Sequence, residues 1–480
     1  MQSGKVFFQT FLLLALSVVV FLFLKSWFPH KLFSEKPSLT KHVVIDSLLL
    51  EAIEEEKGMM KDSVVLPPIE AVVAPKIVFE APDGIVFPPE SMEEFTGYQY
   101  LIPYFEKLYQ WETQQKGSIR IAYFGDSMTD GDMIVQDLRR EMQKRYGGQG
   151  VGFVPITSES AASRSSVNHQ FSANWKVLSY LNVKKPFSPF GVHGQVFFAK
   201  DTLVAPWVQY KAGTVAQATQ LPRPTLFYGS SKNKKGEVVV RADKDTLTYK
   251  LKPQQLLNTL TLKEGSVKSL KAFFHHTDSI PIYGFNFDDG VGVHIDNFSS
   301  RGNSGLPIAT FDQNLMQSFH EKLDYDLIAL HYGTNVLNYG SYDYSWYQRN
   351  MGRVVKHLKA CFPGVAVLVV STADKATKYK LEMETDSAVI PLTKAQKNYA
   401  LQSEAAYFSL FEKMGGVGSM KQWVESDPPM ANKDYTHFNY KGAQKVAGML
   451  DAFLEQGYKQ YKQLRNSSKT PDLNTKVDSS

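Results

Sequence analysis

The stretch at residues 119–132 constrains the fold of this chain most. It begins with the run IRIAYF, whose β-branched and aromatic residues predict a short buried strand, and Gly125 ends that run. From Met133 onward, apolar residues recur at helical spacing. Ser127 therefore lies on a turn between a strand and a helix, where open α/β sheets place their ligands and where free N–H groups favour a developing oxyanion. Gly-Asp-Ser alone is equally consistent with an ordinary turn and helix cap.

The strand-and-helix pattern returns in the second half of the chain. Apolar runs at residues 291–302 and 325–335 end in polar turns and predict strands. The run at 364–372 is continuously apolar, as expected of a strand that is covered on both faces. The spacing also predicts helices over residues 344–361, 392–413 and 441–455. We therefore predict an α/β fold with a parallel sheet between two helical layers.

A different pattern separates these two parts. Between residues 154 and 289 short strands recur between turn signals, several of them alternating apolar with polar residues, which is typical of a β-sandwich. Because this region interrupts the α/β pattern, we interpret it as an inserted module. This module could contact carbohydrate, or it could simply cover the region around Ser127, and the sequence leaves both functions open.

The amino-terminal region predicts a membrane anchor. Residues 7–24 are apolar or uncharged throughout, which suits a single membrane span. No small-residue cleavage site and no cysteine follow this run, so we interpret it as an uncleaved signal anchor and exclude a lipoprotein anchor. Lysines on both sides of the run leave its orientation open. Residues 37–90, which contain proline pairs and charged runs, predict a stalk with some local helix.

Composition excludes several classes of function. The net charge of +5 and the 21% of charged residues give no reason to expect nucleic-acid binding. The single cysteine, Cys361, excludes an intrachain disulfide and a cysteine-cluster zinc site. We expect no cofactor and no metal.

Reactive groups occupy four of the predicted turns. Ser127 is a weak nucleophile until a base takes its proton, and His437 suits that task near neutral pH. Asp434 precedes His437 by three residues and reaches its other ring nitrogen if the stretch forms a turn. The backbone N–H groups of Ser127 and Gly302 and the side-chain amide of Asn335 are candidate oxyanion donors. Asp130 and Asp132 are candidate helix caps.

These four segments resemble the motif blocks of the SGNH, or GDSL-type, hydrolase superfamily. The chain has GDSMTDG at 125–131, NFSSRG at 297–302, GTN at 333–335 and DYTH at 434–437, in the order of the family. The resemblance covers residues 119–152 and 291–456. Two residues depart from the pattern: Val336 replaces a common Asp, and Met128 replaces the usual Leu.

The resemblance implies a catalytic triad of Ser127, Asp434 and His437 and an oxyanion hole of Ser127, Gly302 and Asn335. It implies a flavodoxin-like, three-layer α/β/α fold. We divide the chain into a signal anchor (1–36), a stalk or linker (37–90), the first part of the catalytic domain (91–153), an inserted β-sandwich (154–290), the second part of the catalytic domain (291–460) and a disordered tail (461–480).

The resemblance, the predicted β insert and the predicted anchor together imply a membrane-anchored serine esterase outside the cytoplasm, with its catalytic part in the periplasm. Its substrate would be O-acyl, above all O-acetyl, groups on a glycan such as peptidoglycan or an exported polysaccharide. Two alternatives stay open: a glycan O-acetyltransferase that uses the same site, and an inactive glycan-binding or scaffold protein. The expected partners are the acylated glycan and, through the amino-terminal helix, the membrane.

Overall fold

The computed structural model describes Leu16 and residues 46–59, 77–79, 84–200, 204–337 and 343–468. Apart from Leu16, the predicted span at residues 7–24 lies outside the described residues, as do residues 469–480 of the predicted tail and much of the predicted stalk. No helix in these ranges is both long and apolar enough to cross a bilayer.

The described residues form nine α-helices and eighteen strands. The helices are α1 (Ser47–Met59), α2 (Ile102–Gln114), α3 (Val135–Tyr146), α4 (Gln313–Leu323), α5 (Ser345–Cys361), α6 (Val389–Gln402), α7 (Leu410–Met414), α8 (Ser419–Glu425) and α9 (Tyr440–Ser468). The strands are β1 (Ser118–Gly125), β2 (Gly152–Pro155), β3 (Val167–Phe171), β4 (Trp175–Ser179), β5 (Gln195–Ala199), β6 (Trp207–Ala212), β7 (Thr225–Gly229), β8 (Glu237–Ala242), β9 (Asp245–Lys250), β10 (Leu257–Thr261), β11 (Ser269–His275), β12 (Ile282–Phe287), β13 (Gly292–Ser299), β14 (Tyr325–His331), β15 (Ala366–Val370), β16 (Ala376–Tyr379), β17 (Glu382–Thr385) and β18 (Ala406–Phe408).

A parallel five-stranded sheet carries the α/β part of the fold, as the sequence predicts. Its order is β13-β1-β14-β15-β18, so the strands in chain order run 2-1-3-4-5, as in flavodoxin-like sheets. All five residues of β15 are buried. Because successive side chains of a strand point to opposite faces, both faces of the sheet are covered there. The carboxyl ends of β1, β13 and β14 align in register at Gly125, Ser299 and His331.

The fifth strand of this sheet corrects a prediction. We predicted one helix over residues 392–413, but α6 ends at Gln402 and β18 follows it. Glu404 has a left-handed φ of 52°, which turns the chain out of the helix. The buried residues of β18 then pair with β15, from Leu368 opposite Ala406 to Val370 opposite Phe408. Pairing with the sheet edge therefore overrides the local helical spacing.

The last helix also differs from the prediction. We placed the start of a disordered tail at residue 461, but α9 continues to Ser468. Tyr461 is buried because its ring packs 5.9 Å from that of Phe105 on α2, centroid to centroid. Arg465 then forms an ion pair with Glu106 at 2.8 Å. Residues 461–468 therefore continue α9, with one face packed on α2 and polar residues on the other face.

Residues 152–287 form two antiparallel sheets. One sheet has the order β10-β7-β12-β5-β4, with β2 also paired to β12, and the other has the order β3-β6-β11-β8-β9. A buried cluster separate from that of the α/β part includes residues of both sheets. Tyr210 of the second sheet lies 5.4 Å from Phe285 and 5.1 Å from Phe287 of the first, between ring centroids. None of these strands joins the parallel sheet.

Part of the region assigned to the stalk packs on the loop after Gly302. Asp46 is fully buried, and its Oδ1 accepts the backbone N–H of Leu49 at 2.6 Å at the start of α1. Its Oδ2 accepts the backbone N–H of Ser304 at 2.7 Å. Burial raises the pKa of Asp46, although these hydrogen bonds oppose the shift. The buried side chain of Asp46 thus joins the start of α1 to the loop that follows Gly302.

Candidate active site

Ser127 lies on the turn that follows β1. Thr129 and Asp130 donate their backbone N–H groups to the carbonyl of Asp126, which closes this turn. A side chain at Gly125 would collide with Thr129 Oγ1, so the tight turn requires glycine there. The helix starts later than its spacing predicted, because α3 begins at Val135, after a short 3₁₀ turn. Ser127 therefore does not directly precede the α-helix.

The structure brings Ser127, His437 and Asp434 into one hydrogen-bonded chain. Ser127 Oγ lies 2.9 Å from His437 Nε2, and His437 Nδ1 lies 2.9 Å from Asp434 Oδ2. Asp434 Oδ1 accepts the backbone N–H groups of Thr436 and His437, each at 3.0 Å. This turn fixes the carboxylate against the ring and favours the tautomer with its proton on Nδ1. Nε2 is then free to accept the proton of Ser127.

The charge of Asp434 is stabilised although the residue is half-buried. Burial works to raise its pKa, but the hydrogen bonds from the His437 ring and from the backbone N–H groups outweigh burial and lower the pKa to about 2. Asp434 is therefore ionised at neutral pH. An ionised carboxylate at Nδ1 is what stabilises an imidazolium that forms on the other nitrogen.

Asn335 and Gly302 lie on neighbouring loops. Asn335 donates its side-chain amide to the carbonyl of Asn303 at 3.0 Å, and Asn303 is the residue after Gly302. Since the amide nitrogen carries two hydrogens, this bond leaves one N–H of Asn335 for another acceptor. Gly302 is buried and has a φ of 76°, a conformation that favours glycine. The departures from the family pattern, Met128 and Val336, are both buried.

The loop that ends at Gly302 runs along the nucleophile turn. Ser300 donates its backbone N–H to the carbonyl of Gly125 at 3.1 Å. The hydroxyls of Thr129 and Ser299 lie 2.7 Å apart. These two contacts hold the chain before Gly302 against the chain around Ser127. The structure therefore joins Ser127, His437 and Asp434 by hydrogen bonds and places Gly302 and Asn335 on neighbouring loops at the same edge of the sheet.

Asp126, next to the nucleophile, is a buried acid that the sequence reasoning treated only as part of a turn. Its Oδ1 accepts the backbone N–H of Met128 at 2.9 Å. Burial raises its pKa to about 6, although the Met128 hydrogen bond and the nearby His437 act to lower it. The protonation of Asp126 therefore changes in the mildly acidic range.

Asp132 does not cap a helix, contrary to our interpretation. Its buried carboxylate accepts from both terminal nitrogens of Arg139, at 2.8 and 3.1 Å, and from Arg164 at 3.3 Å. It also accepts from the hydroxyl of Ser166 at 2.5 Å. Burial raises the pKa of Asp132, but the two arginines outweigh burial and hold it well below its usual range. This cluster ties the nucleophile loop to the strand region that follows β2.

Asp130 likewise caps neither flanking helix. Its carboxylate instead contacts two side chains that are distant in the sequence. Its Oδ1 accepts the hydroxyl of Ser160 at 2.7 Å, and its Oδ2 accepts Nε of Arg301 at 2.6 Å. Sequence reasoning missed Arg301 as a residue of this site. Its position before Gly302 is the only sequence signal, since its partner lies 171 residues earlier.

Of three comparisons with known proteins, only the comparison with solved structures finds similar proteins. A scan against protein-family models finds no match, and a search of curated proteins finds none. A solved peptidoglycan O-acetylesterase is 21% identical over 74% of this chain and 96% of its own length, with a TM-score of 0.61. A family two carbohydrate esterase from Cellvibrio japonicus is 11% identical over 62% of this chain and 99% of its own, but its TM-score of 0.25 carries no argument. The chain therefore shares the fold of the solved peptidoglycan O-acetylesterase, and its motif segments carry the resemblance to SGNH-type hydrolases.

Proposed function

We propose that this protein is a serine esterase that removes O-acyl groups, above all O-acetyl groups, from a glycan. The observation that carries the proposal is the chain of hydrogen bonds from Ser127 through His437 to Asp434. A nucleophile, a base and an orienting carboxylate in this geometry are the requirements of acyl transfer. The second N–H of Asn335 and the backbone N–H groups of Ser127 and Gly302 complete the proposed machinery.

In the proposed reaction, His437 Nε2 takes the proton of Ser127 as Oγ attacks the ester carbonyl carbon. The three N–H donors stabilise the negative charge on the carbonyl oxygen of the tetrahedral intermediate. Collapse of this intermediate breaks the ester C–O bond, and His437 gives its proton to the departing sugar hydroxyl. Water then attacks the acyl-enzyme by the same route, and the acid and free Ser127 are released. Asp434 stabilises the imidazolium in both halves.

Two lines of support favour a glycan substrate. The solved protein with this fold at a TM-score of 0.61 is a peptidoglycan O-acetylesterase. Tyr440, three residues after His437, is 59% exposed. An exposed aromatic ring offers an apolar face on which a sugar ring can stack.

The proposal includes the location and the role of the β region. The uncharged run at residues 7–24 suits a single membrane anchor, with the catalytic part on the outer side of the membrane, where such glycans lie. Residues 154–290 would act as an inserted β-sandwich beside the site. The contacts of Ser160 with Asp130, and of Arg164 with Asp132, support this role, because they bring the start of that region to the nucleophile loop.

The test measures free acetate after the full-length protein in detergent meets an O-acetylated glycan. Parallel samples contain a deacetylated glycan as acceptor. We expect acetate release by the wild-type protein and none by Ser127→Ala. Transfer of acetyl to the acceptor without free acetate would replace the esterase with the transferase that uses the same site. A folded protein that neither releases nor transfers acetate would overturn the proposal.

A further inference from the structure

Arg301 is a cation at the edge of the candidate active site. Its side chain is 55% exposed, and it immediately precedes Gly302. Its Nε donates to Asp130 Oδ2 at 2.6 Å, while Asp130 itself is only 10% exposed. Asp130 is held in turn by the hydroxyl of Ser160 at 2.7 Å. The guanidinium is therefore oriented by a nearly buried carboxylate, unlike an ordinary surface arginine.

The free end of this guanidinium is available to a ligand. Among the described residues, the ion pair with Asp130 is the only one that Arg301 forms, and it uses Nε. The four N–H bonds on Nη1 and Nη2 remain without a hydrogen-bond partner in that part of the chain. Two parallel N–H bonds of a guanidinium match the two oxygens of a carboxylate. Because Asp130 contacts Nε, the terminal nitrogens Nη1 and Nη2 of Arg301 are left as a pair of donors for a ligand.

The neighbouring acids do not compete for this pair of donors. Asp132 is occupied by Arg139 and Arg164, so two guanidinium charges already face its single negative charge. Asp434 accepts from the ring and the backbone N–H of His437. Arg139 and Arg164 are buried, whereas the side chain of Arg301 is 55% exposed. Of these three arginines, Arg301 is therefore the one that an incoming anion can reach.

An exposed tyrosine near His437 in the sequence offers a surface for a sugar ring. The exposed Tyr440 follows His437 by three residues, and its hydroxyl lies 3.5 Å from the carbonyl of Ser163. Ser163 and Ser160 belong to the same short loop, since Ser163 donates its backbone N–H to the carbonyl of Ser160 at 3.0 Å. This loop therefore touches Tyr440 at one end and, through Asp130, Arg301 at the other. The exposed aromatic ring and the cation are therefore connected through one short loop.

We propose that Arg301 binds a carboxylate carried by the acylated glycan, and that Asp130 is the positioning residue that holds its guanidinium. The inference rests on the proposed esterase function and narrows its substrate to an anionic sugar unit. A charge-assisted, bidentate pair typically contributes about 1.5–3 kcal/mol, which corresponds to about 10- to 100-fold in affinity. The esterase should therefore prefer an ester whose sugar unit bears a free carboxylate to the same ester with that group amidated.

The kinetic test compares two O-acetylated disaccharides that differ only in a free carboxylate or its methylamide. We expect the wild-type protein to prefer the carboxylate. Arg301→Gln should lower the ratio of the two kcat/KM values at least tenfold, chiefly through KM, and Arg301→Lys should restore part of it. Asp130→Asn should lie between the wild type and Arg301→Gln. Arg353→Gln, which changes an exposed arginine on α5, is the matched control and should keep the wild-type ratio.

Several results would overturn the inference. An unchanged ratio of the two kcat/KM values in Arg301→Gln would do so. If both values also fell by the same factor, the loss would indicate a role of Arg301 in the Gly302 loop alone. If Arg301→Gln fails to fold, a wild-type protein without any preference for the carboxylate is sufficient to reject it.

A binding measurement separates this inference from the proposed function. Isothermal titration of Ser127→Ala with the two disaccharides should show tighter binding of the carboxylate form, and adding Arg301→Gln should remove the difference. Arg301-dependent binding without hydrolysis by the wild-type protein would reject the esterase and retain the anion site. Hydrolysis without discrimination, together with equal binding, would retain the esterase and reject the anion site.

Discussion

Replacing Asp132 with alanine tests the buried cluster that joins the nucleophile loop to the β region. The carboxylate of Asp132 is fully buried, and it is the ion-pair partner of Arg139, at 2.8 Å, and of Arg164, at 3.3 Å. The side chains of these arginines are only 3% and 9% exposed. Alanine at this position leaves two guanidinium groups in the interior without this carboxylate partner.

The expected magnitude follows from that burial. Removing one partner of a buried ion pair typically costs about 3–5 kcal/mol, because the remaining charge stays desolvated. Asp132 also has a φ of 69°, which alanine tolerates less well than aspartate. Since folded domains are stable by only about 5–15 kcal/mol, Asp132→Ala should remove at least about a fifth of the free energy of unfolding. Asp132→Asn should cost less, because the amide oxygen still accepts hydrogen bonds.

The assay is urea unfolding followed by far-ultraviolet circular dichroism. Glu264→Ala is the control, because Glu264 forms an exposed ion pair with Arg223 at 4.0 Å and its loss should change stability by less than about 1 kcal/mol. The arginines hold the pKa of Asp132 below its usual range against burial. Its charge therefore stabilises the fold above the ordinary carboxyl pKa and loses this effect as the pH falls toward and through the lowered value. An Asp132→Ala protein as stable as the control at pH 7 would refute the reasoning.

Three further predictions concern the site and its surroundings. Asn335→Ala should lower kcat by about 10²–10³, the usual effect of losing one oxyanion donor, and a folded variant with wild-type turnover of a chromogenic acetate would exclude that role. Asp46→Asn should lose one of two backbone hydrogen bonds, which should lower the free energy of unfolding in urea by about 1–3 kcal/mol and reduce kcat. The control Glu54→Gln, on the exposed side of α1, should change neither the free energy of unfolding nor kcat. Equal behaviour of the two variants would show that the contact with Ser304 is unimportant. Asp126 has its pKa raised to about 6, so its protonated form stabilises the fold below the ordinary value of about 4, and this effect is lost as the pH rises through 6. The stability of the wild-type protein relative to Asp126→Asn should therefore fall between pH 4 and 7, on the order of 1–3 kcal/mol, and a difference that is constant with pH would contradict the assigned shift.

The sequence predicts those parts of the fold that depend on local patterns. The apolar runs before Gly125 and through residues 364–372 identify strands of the parallel sheet without any knowledge of their neighbours. The four motif segments likewise contain the reactive groups that the structure brings together, because each group follows a strand or precedes a helix within a few residues. The three-residue spacing from Asp434 to His437 is local enough to predict their hydrogen bond.

What the sequence did not predict depends on distant partners. Residues 406–408 have helical spacing around them and become a strand only because the edge of β15 is available. The sequence predicts a helix cap at Asp132, because its partner Arg164 lies 32 residues away and no local pattern indicates that the two residues are in contact. Arg301 and Asp130 meet across the whole β region, so neither residue alone indicates the pair. Long-range electrostatic partners were therefore the main omission.

The proposed role of Ser127 as the nucleophile that forms an acyl-enzyme is tested by the turnover of a chromogenic acetate by the wild-type protein and by Ser127→Ala. Circular dichroism of both proteins is the folding control, and His437→Ala is the companion variant. We predict that Ser127→Ala forms no acetyl-enzyme and loses turnover by about 10⁴–10⁶, and that His437→Ala falls nearly as far, because either change disables the same step. Wild-type-like turnover by folded Ser127→Ala protein would contradict the account.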